Sequence, residues 1–127
     1  MYNNVARAYQ NTERSVMSGR ETEARVLMKA ALKLKVCQDN WESENRDDVL
    51  EEALIFNQQI WSIFQSELMR EDHPMPKELR MDLLSLGALV DKRIYESMAY
   101  PSPEKLDTII NINRNIASGL NGLSSDE

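Results

Sequence analysis

Apolar residues recur along this chain at steps of three and four, the spacing that lines them up on one side of an α-helix. Val5, Ala8, Tyr9, Thr12 and Val16 trace one such stripe and predict a helix over 3–17, which Ser18-Gly19 interrupts. From Arg20 the pattern resumes with Ala24, Leu27, Met28, Ala31, Leu32 and Leu34 to Val36, opposite Arg25, Lys29, Lys33 and Lys35. It predicts a second helix over 20–39 with an apolar inner side and a basic outer side. Residues 39–48 hold one aromatic, Trp41, among polar and acidic groups and read as a loop. The loop runs into a helix whose first turns carry Asp47, Asp48, Glu51 and Glu52, carboxylates that favour the positive end of the helix dipole. That third helix, over 46–71, has the strongest period in the chain: Leu50, Leu54, Asn57, Trp61, Phe64 and Leu68 form a near-heptad seam.

Pro74 and Pro76 end it, because each removes an amide donor and pushes the residue before it out of helical geometry. Pro76 is well placed to start a fourth helix over 77–99, with Leu79, Leu83, Leu86, Val90 and Ile94 on one side and Leu84 and Leu89 widening the stripe. Gly87 inside it predicts a close helix contact, at a propensity cost of about 1 kcal/mol relative to Ala. Tyr100-Pro101-Ser102-Pro103 makes another break, with Ser102 as the expected N-cap of a fifth helix over 103–119. Leu106, Ile109, Ile110, Asn113, Ile116, Ala117 and Leu120 form its stripe, Gly119 and Gly122 are candidate stops, and 121–127 reads as a polar tail. The expectation is an all-α fold: one domain over 1–127, a small helical bundle of about five helices joined by short linkers.

Composition supports that reading. With 42% hydrophobic residues in 127, and only four Gly and four Pro, the chain can bury a single core without a metal or a disulfide. Charge narrows the partners: 15 Lys and Arg against 21 Asp and Glu leave −6, which argues against nucleic acid and anionic membranes and favours a basic protein surface. Cys37 and His73 are single, so an internal disulfide and a Cys/His zinc site are excluded. A lone cysteine suits a reducing compartment. The chain has no apolar run of about 18 residues, and its N-terminus lacks the basic-then-apolar order of a secretory signal, so a cytoplasmic protein is expected.

Enzyme motifs are missing. Neither GxGxxG, GxxxxGK[ST] nor GxSxG occurs, the glycines at 19, 87, 119 and 122 are too scattered to cradle a phosphate, and His73 reads as a solvated loop residue. The expectation is no enzyme, no catalytic residue and no cofactor. The acidic run Glu42, Glu44, Asp47, Asp48, Glu51 and Glu52 lacks the DxDxDG spacing of a calcium loop, so no metal is expected there. It reads as a solvated face, or as one that meets a basic stretch on a partner.

Asn57 and Asn113 are polar amides in apolar seams. Such a group either fixes the register of packed helices through buried hydrogen bonds or faces a groove and binds the backbone of a guest helix. Trp61 and Phe64, one turn apart, supply a core or the hot spot of an interface. Trp41 must fold back onto the bundle or stay partly open. Beyond Met1, methionines fall at 17, 28, 69, 75, 81 and 98, several of them off the seams. Flexible thioethers fill core margins or form surfaces that accept variable apolar shapes. Together these features suggest an acidic helical protein with spare apolar surface, suited to holding another protein's helices.

Three blocks then carry a resemblance: Ala53-Leu54-x-x-Asn57-x-x-Ile60-Trp61-x-x-Phe64, Met75-Pro76-x-x-Leu79-Arg80-x-x-Leu83, and Leu106-x-x-Ile109-Ile110-x-Ile112-Asn113-x-x-Ile116-Ala117-x-Gly119-Leu120. Tyr9 and the Arg-Glu-x-Glu-Ala run at 20–24 add a weaker match, with Gly19 where the family usually has Pro. In order and spacing the chain resembles the flagellar biosynthesis regulatory protein FlaF family. The resemblance implies a cytoplasmic flagellin chaperone that supports flagellin export and regulates its synthesis, acting beside the translational regulator FlbT. The expected partner site is an apolar groove near Trp61 and Phe64 with Met28, Met69 and Trp41, in which Asn57, Asn113 and Arg80 orient the guest. Two other readings remain open at this point: a post-transcriptional regulator that contacts flagellin mRNA directly, and an adaptor that binds only FlbT.

Overall fold

The computed structural model describes residues 19–125, and the helix expected over 3–17 lies outside them. Four α-helices make up the described part, with no strand among them: α1 (Gly19–Asp39), α2 (Arg46–Leu68), α3 (Lys77–Ala99) and α4 (Leu106–Ser125). A 3-10 turn, Pro103–Lys105, leads into α4. The all-α expectation holds, with four helices described in place of about five.

Successive helices run in opposite directions. Asn57 in mid-α2 bonds the Ala30 carbonyl in mid-α1, and Gln65 late in α2 bonds Asp91 in α3. At the end of α1, Gln38 Nε2 donates to the Pro103 carbonyl at 2.8 Å and to Asp107 Oδ1 at 2.7 Å, which ties that end to the start of α4. The helices close into a ring in which each packs on the helices before and after it, with α1 against α4 the most extensive contact.

The seams read from the sequence face the middle of this ring. Leu50, Leu54, Trp61, Phe64 and Leu68 of α2 are buried, as are Leu106, Ile109, Ile110, Ile116, Ala117 and Leu120 of α4. Removing a side chain of this size from water stabilises the fold by about 2 kcal/mol. Gly87 makes the close contact expected of it: a Cβ there would lie 3.2 Å from Trp61 Cε3 and 2.5 Å from Gln65 Nε2.

Several boundaries and faces differ from expectation. α2 stops at Leu68, short of residue 71, because the Leu68 and Arg70 carbonyls turn to the Arg80 guanidinium instead of continuing the helical ladder. α4 runs through Gly119 and Gly122 to Ser125, so neither glycine is a stop and the tail begins later than 121. Neither adopts the left-handed conformation of a terminating glycine, and burial of Leu120 holds the chain in the helix beyond Gly119. Ser102 occupies the N-cap position of the 3-10 turn, but its side chain makes no capping bond. Met28, Leu32, Val36 and Leu79, assigned to inner stripes, are exposed. On α1 the covered sector is the narrower row Ala24, Leu27, Ala31 and Leu34, since α2 and α4 together enclose only that side.

Candidate partner-binding site

Four of the expected site residues come together, and they do so inside the protein. Asn113 Nδ2 donates to Asn57 Oδ1 at 2.7 Å, and the Trp61 indole N–H donates to Asn113 Oδ1 at 2.8 Å. Asn57 Nδ2 in turn donates to the Ala30 carbonyl at 3.1 Å and the Ala53 carbonyl at 2.9 Å. Asn57, Trp61 and Asn113 are fully buried, and the chain of bonds runs from α1 through α2 to α4. Their polar groups are therefore used to hold helices in register, the structural alternative for these amides, and none is turned toward an open groove. Phe64 meets Trp61 edge to face, with ring centroids 5.5 Å apart, and reaches the surface as the floor of a cleft.

The other expected residues are dispersed. Arg80 packs at the end of α2, where one guanidinium nitrogen donates to both the Leu68 and Arg70 carbonyls. There it caps the negative end of that helix and cannot at the same time orient a guest. Trp41 folds back onto the core margin in the α1–α2 loop, with the Arg46 guanidinium 4.4 Å above its ring. Met69 is largely exposed beyond the end of α2, and Met28 is exposed on the outer side of α1.

An open apolar face does exist, on the α1/α2 seam. One cleft, of about 220 Å3, is floored by Leu27 and Phe64 and walled by Val26, Ile60 and Ile63. A second lies farther along the same seam between Leu32 and Val36 of α1 and Val49 and Ala53 of α2. Phe56 separates them, with Lys33 Nζ 5.0 Å and Lys29 Nζ 5.6 Å from its ring centroid. Leu32 and Ile63 are each 59% exposed, while Val36 is 48% exposed. Large apolar side chains this open, gathered on one face, mark an interaction surface when the interior beneath them is already filled.

Charges at the two ends of this face differ in sign. Glu23 of α1 and Glu67 of α2 both border the first cleft. Burial first, then the neighbouring Glu67, pushes Glu23 up to about 7 against the pull of Arg20. Toward the other end stand Lys29 and Lys33, the latter 3.4 Å from Glu52.

Sequence reasoning missed Glu23, Glu67, Ile60 and Ile63 as site residues. A signal was present in α2, where Phe56, Ile60, Ile63 and Glu67 follow one another at steps of four, three and four, a second stripe beside the main seam. For Glu23 and Glu67 no local signal exists, since 44 positions separate them.

Burial also pushes the Cys37 thiol up, which keeps it in its unreactive protonated form. Among the described residues no group of three or more His, Cys, Asp or Glu is placed to hold a metal ion, and no helix is long and apolar enough to cross a membrane.

No curated protein and no solved structure is similar enough to this chain to count as a match. The family described as "Flagellar protein FlaF" matches over residues 5–120, nearly the whole length and all three blocks quoted above. With that extent of match, the chain belongs to the FlaF family of flagellar proteins.

Proposed function

We propose that this protein is a non-enzymatic cytoplasmic chaperone that binds flagellin, supports its export and regulates its synthesis through which partner it holds. The observation that carries the reading is the α1/α2 face: Leu32, Val36 and Ile63 stay open although Trp61, Leu27, Leu34 and Leu54 already fill the interior. The terminal segments of flagellin, by the family resemblance, are amphipathic helices that must be kept unassembled. A two-helix seam with an apolar floor is a suitable bed for one of them, because its grooves accept side chains at helical spacing.

Direct contact with flagellin mRNA has less support. Lys29 and Lys33 lie over Phe56, and Lys35 is 2.9 Å from Asp39, so the basic stripe of α1 is largely spent within the protein. An adaptor for FlbT would use the same apolar face and is separated from a chaperone only by competition.

The test is retention of flagellin, or of peptides from its two ends, by the purified protein at micromolar concentration. Retention is expected for the wild type and its loss for Leu32→Glu and Ile63→Glu, whose exposed positions leave folding intact. A folded wild type that retains neither flagellin nor its terminal peptides overturns the reading. Titration with FlbT in competition with flagellin then assigns the face to one partner or to both.

A further inference from the structure

On its other side α2 packs against α3, and where the start of α2 meets the end of α3 the seam opens into a cleft of about 500 Å3. Leu50 and Leu54 of α2 and Met98 of α3 give it apolar walls, and the exposed carboxylates of Asp47 and Glu51 stand beside them. A second groove, on the outer side of α2, shares Glu51 and Ile55 with this cleft and adds Asp48. Ile55 and Met98 are exposed although the core beneath them is closed.

Two independent observations say what the cleft takes. The first is charge. Arg46 is the one basic residue of α2, and it is committed to the Trp41 ring and to Asp47, 3.0 Å away. Lys33 holds Glu52, Arg93 holds Glu96, and Lys105 donates to the Tyr100 carbonyl. Glu51 and Asp48 make no ion pair among the described residues. The amino end of α2 and the carboxyl end of α3 meet here, so their half charges of opposite sign largely cancel. The carboxylates therefore set the sign, and the cleft favours a cation. The second observation is Ser97. It lines the cleft and is fully buried, yet its hydroxyl has no hydrogen-bond partner among the described residues. A buried hydroxyl left unmatched is unfavourable, and a donor entering from the cleft satisfies it.

We propose that the α2/α3 cleft binds a lysine side chain presented by an amphipathic helix of a partner protein, with the ammonium donating to the Glu51 carboxylate and to Ser97 Oγ. The methylene stem lies along Leu50, Leu54 and Met98, and the ammonium head brings the three donors that this carboxylate and hydroxyl accept. Apolar residues one turn away on the same guest helix meet Ile55 and Met98. The net charge of −6 speeds the encounter with a basic segment and repels an acidic one. One anchored side chain and a few apolar contacts make a weak site, with a dissociation constant on the order of 10–100 µM. This cleft and the α1/α2 face lie on different sides of α2, so the inference does not rest on the flagellin reading.

The experiment is methyl NMR of the full-length chain, titrated with a helical peptide of about 18 residues that carries leucine at steps of three and four and lysine elsewhere. A second peptide carries glutamate in place of lysine. The lysine peptide is expected to shift the Leu54, Ile55 and Met98 methyl signals with a midpoint of about 10–100 µM, in wild type and equally in Leu32→Glu/Ile63→Glu, where the other face is blocked. Glu51→Gln should weaken those shifts about fivefold and Ser97→Ala about threefold, each with wild-type circular dichroism. Ser97→Ala should not lower the midpoint of thermal unfolding, because no bond within the protein is lost. Failure of the lysine peptide to shift these methyls at 1 mM overturns the proposal. So does a glutamate peptide that shifts them equally, or either folded variant binding as tightly as the wild type.

Discussion

Asn57 and Asn113, 56 residues apart in sequence, share a 2.7 Å hydrogen bond in the fully buried centre of the protein. The two amides are not equivalent in what depends on them. Asn113→Ala removes the acceptor of the Trp61 N–H and the donor to Asn57 Oδ1, leaving two buried polar groups without partners. Asn57→Ala strands only the Asn113 amide, since the Ala30 and Ala53 carbonyls lie within helices and keep their ladder bonds. At about 1–3 kcal/mol per orphaned group, Asn113→Ala is expected to cost about 3 kcal/mol and Asn57→Ala about 2. In urea denaturation the double variant should lose less than the sum of the two, because the first substitution has already broken the shared bond.

Gly87 sets a second prediction on the α2/α3 contact. Alanine gains about 1 kcal/mol in helix propensity, yet its Cβ must displace Gln65 Nε2 from 2.5 Å and press on the immobile Trp61 ring at 3.2 Å. Moving Gln65 also breaks its bond to Asp91. Gly87→Ala is expected to lower stability by about 1 kcal/mol, and by less in a Gln65→Ala background where only Trp61 resists. Gly87→Leu should cost about 3 kcal/mol or more, read as the midpoint of thermal unfolding.

Arg80 caps α2 through a single nitrogen, and that decides which replacements it tolerates. Arg80→Met leaves the Leu68 and Arg70 carbonyls without the cation and should cost about 1–2 kcal/mol, with faster amide exchange at Met69 and Arg70. Arg80→Lys should keep most of the stability, because one ammonium can serve both carbonyls and the buried Arg80 Nε, which has no partner, is removed. A lysine variant as unstable as the methionine one would show that the planar guanidinium itself is required.

The pH dependence of stability follows from Glu23. Its folded value, about 7, lies above the ordinary 4.5, so the folded state holds a proton that the unfolded chain has already released. That contribution is complete below about pH 4.5 and is lost as the pH rises through 7. His73, lowered by burial and by Arg80, acts in the opposite direction below its ordinary 6.5, but equally in wild type and variant. Between pH 5 and 8 the wild type should therefore lose about 1 kcal/mol more than Glu23→Gln, a figure already reduced for solvent screening at this half-exposed site. Parallel pH profiles of the two proteins would reject the assignment.

Legibility differed by element. The α4 stripe could be read residue for residue, from Leu106 to Leu120, because one side of that helix is covered and the opposite side carries Asp107, Asn111, Arg114 and Ser118. On α1 the reading was too wide: Leu27 and Leu34 are buried, whereas Met28, Leu32 and Val36 are open. All five are apolar but spread round most of the helix, with Leu27 and Val36 on opposite sides, so an apolar residue type alone could not say which of them a neighbour would cover. Of the residues named for the candidate site, Phe64 floors the α1/α2 cleft, Met28 lines neither cleft of that face, and Asn57, Trp61, Asn113 and Arg80 are occupied within the fold.

Sequence alone determined the helices, their proline-bounded breaks and the seams they turn inward, because these depend on backbone geometry and on spacings of three and four residues within one helix. Tertiary structure decided which stripe is sealed and which is left open, that Asn57 meets Asn113, and that Glu23 meets Glu67. Each of those is a relation between helices, set by how four cylinders share limited apolar surface around one centre, and no local period encodes it.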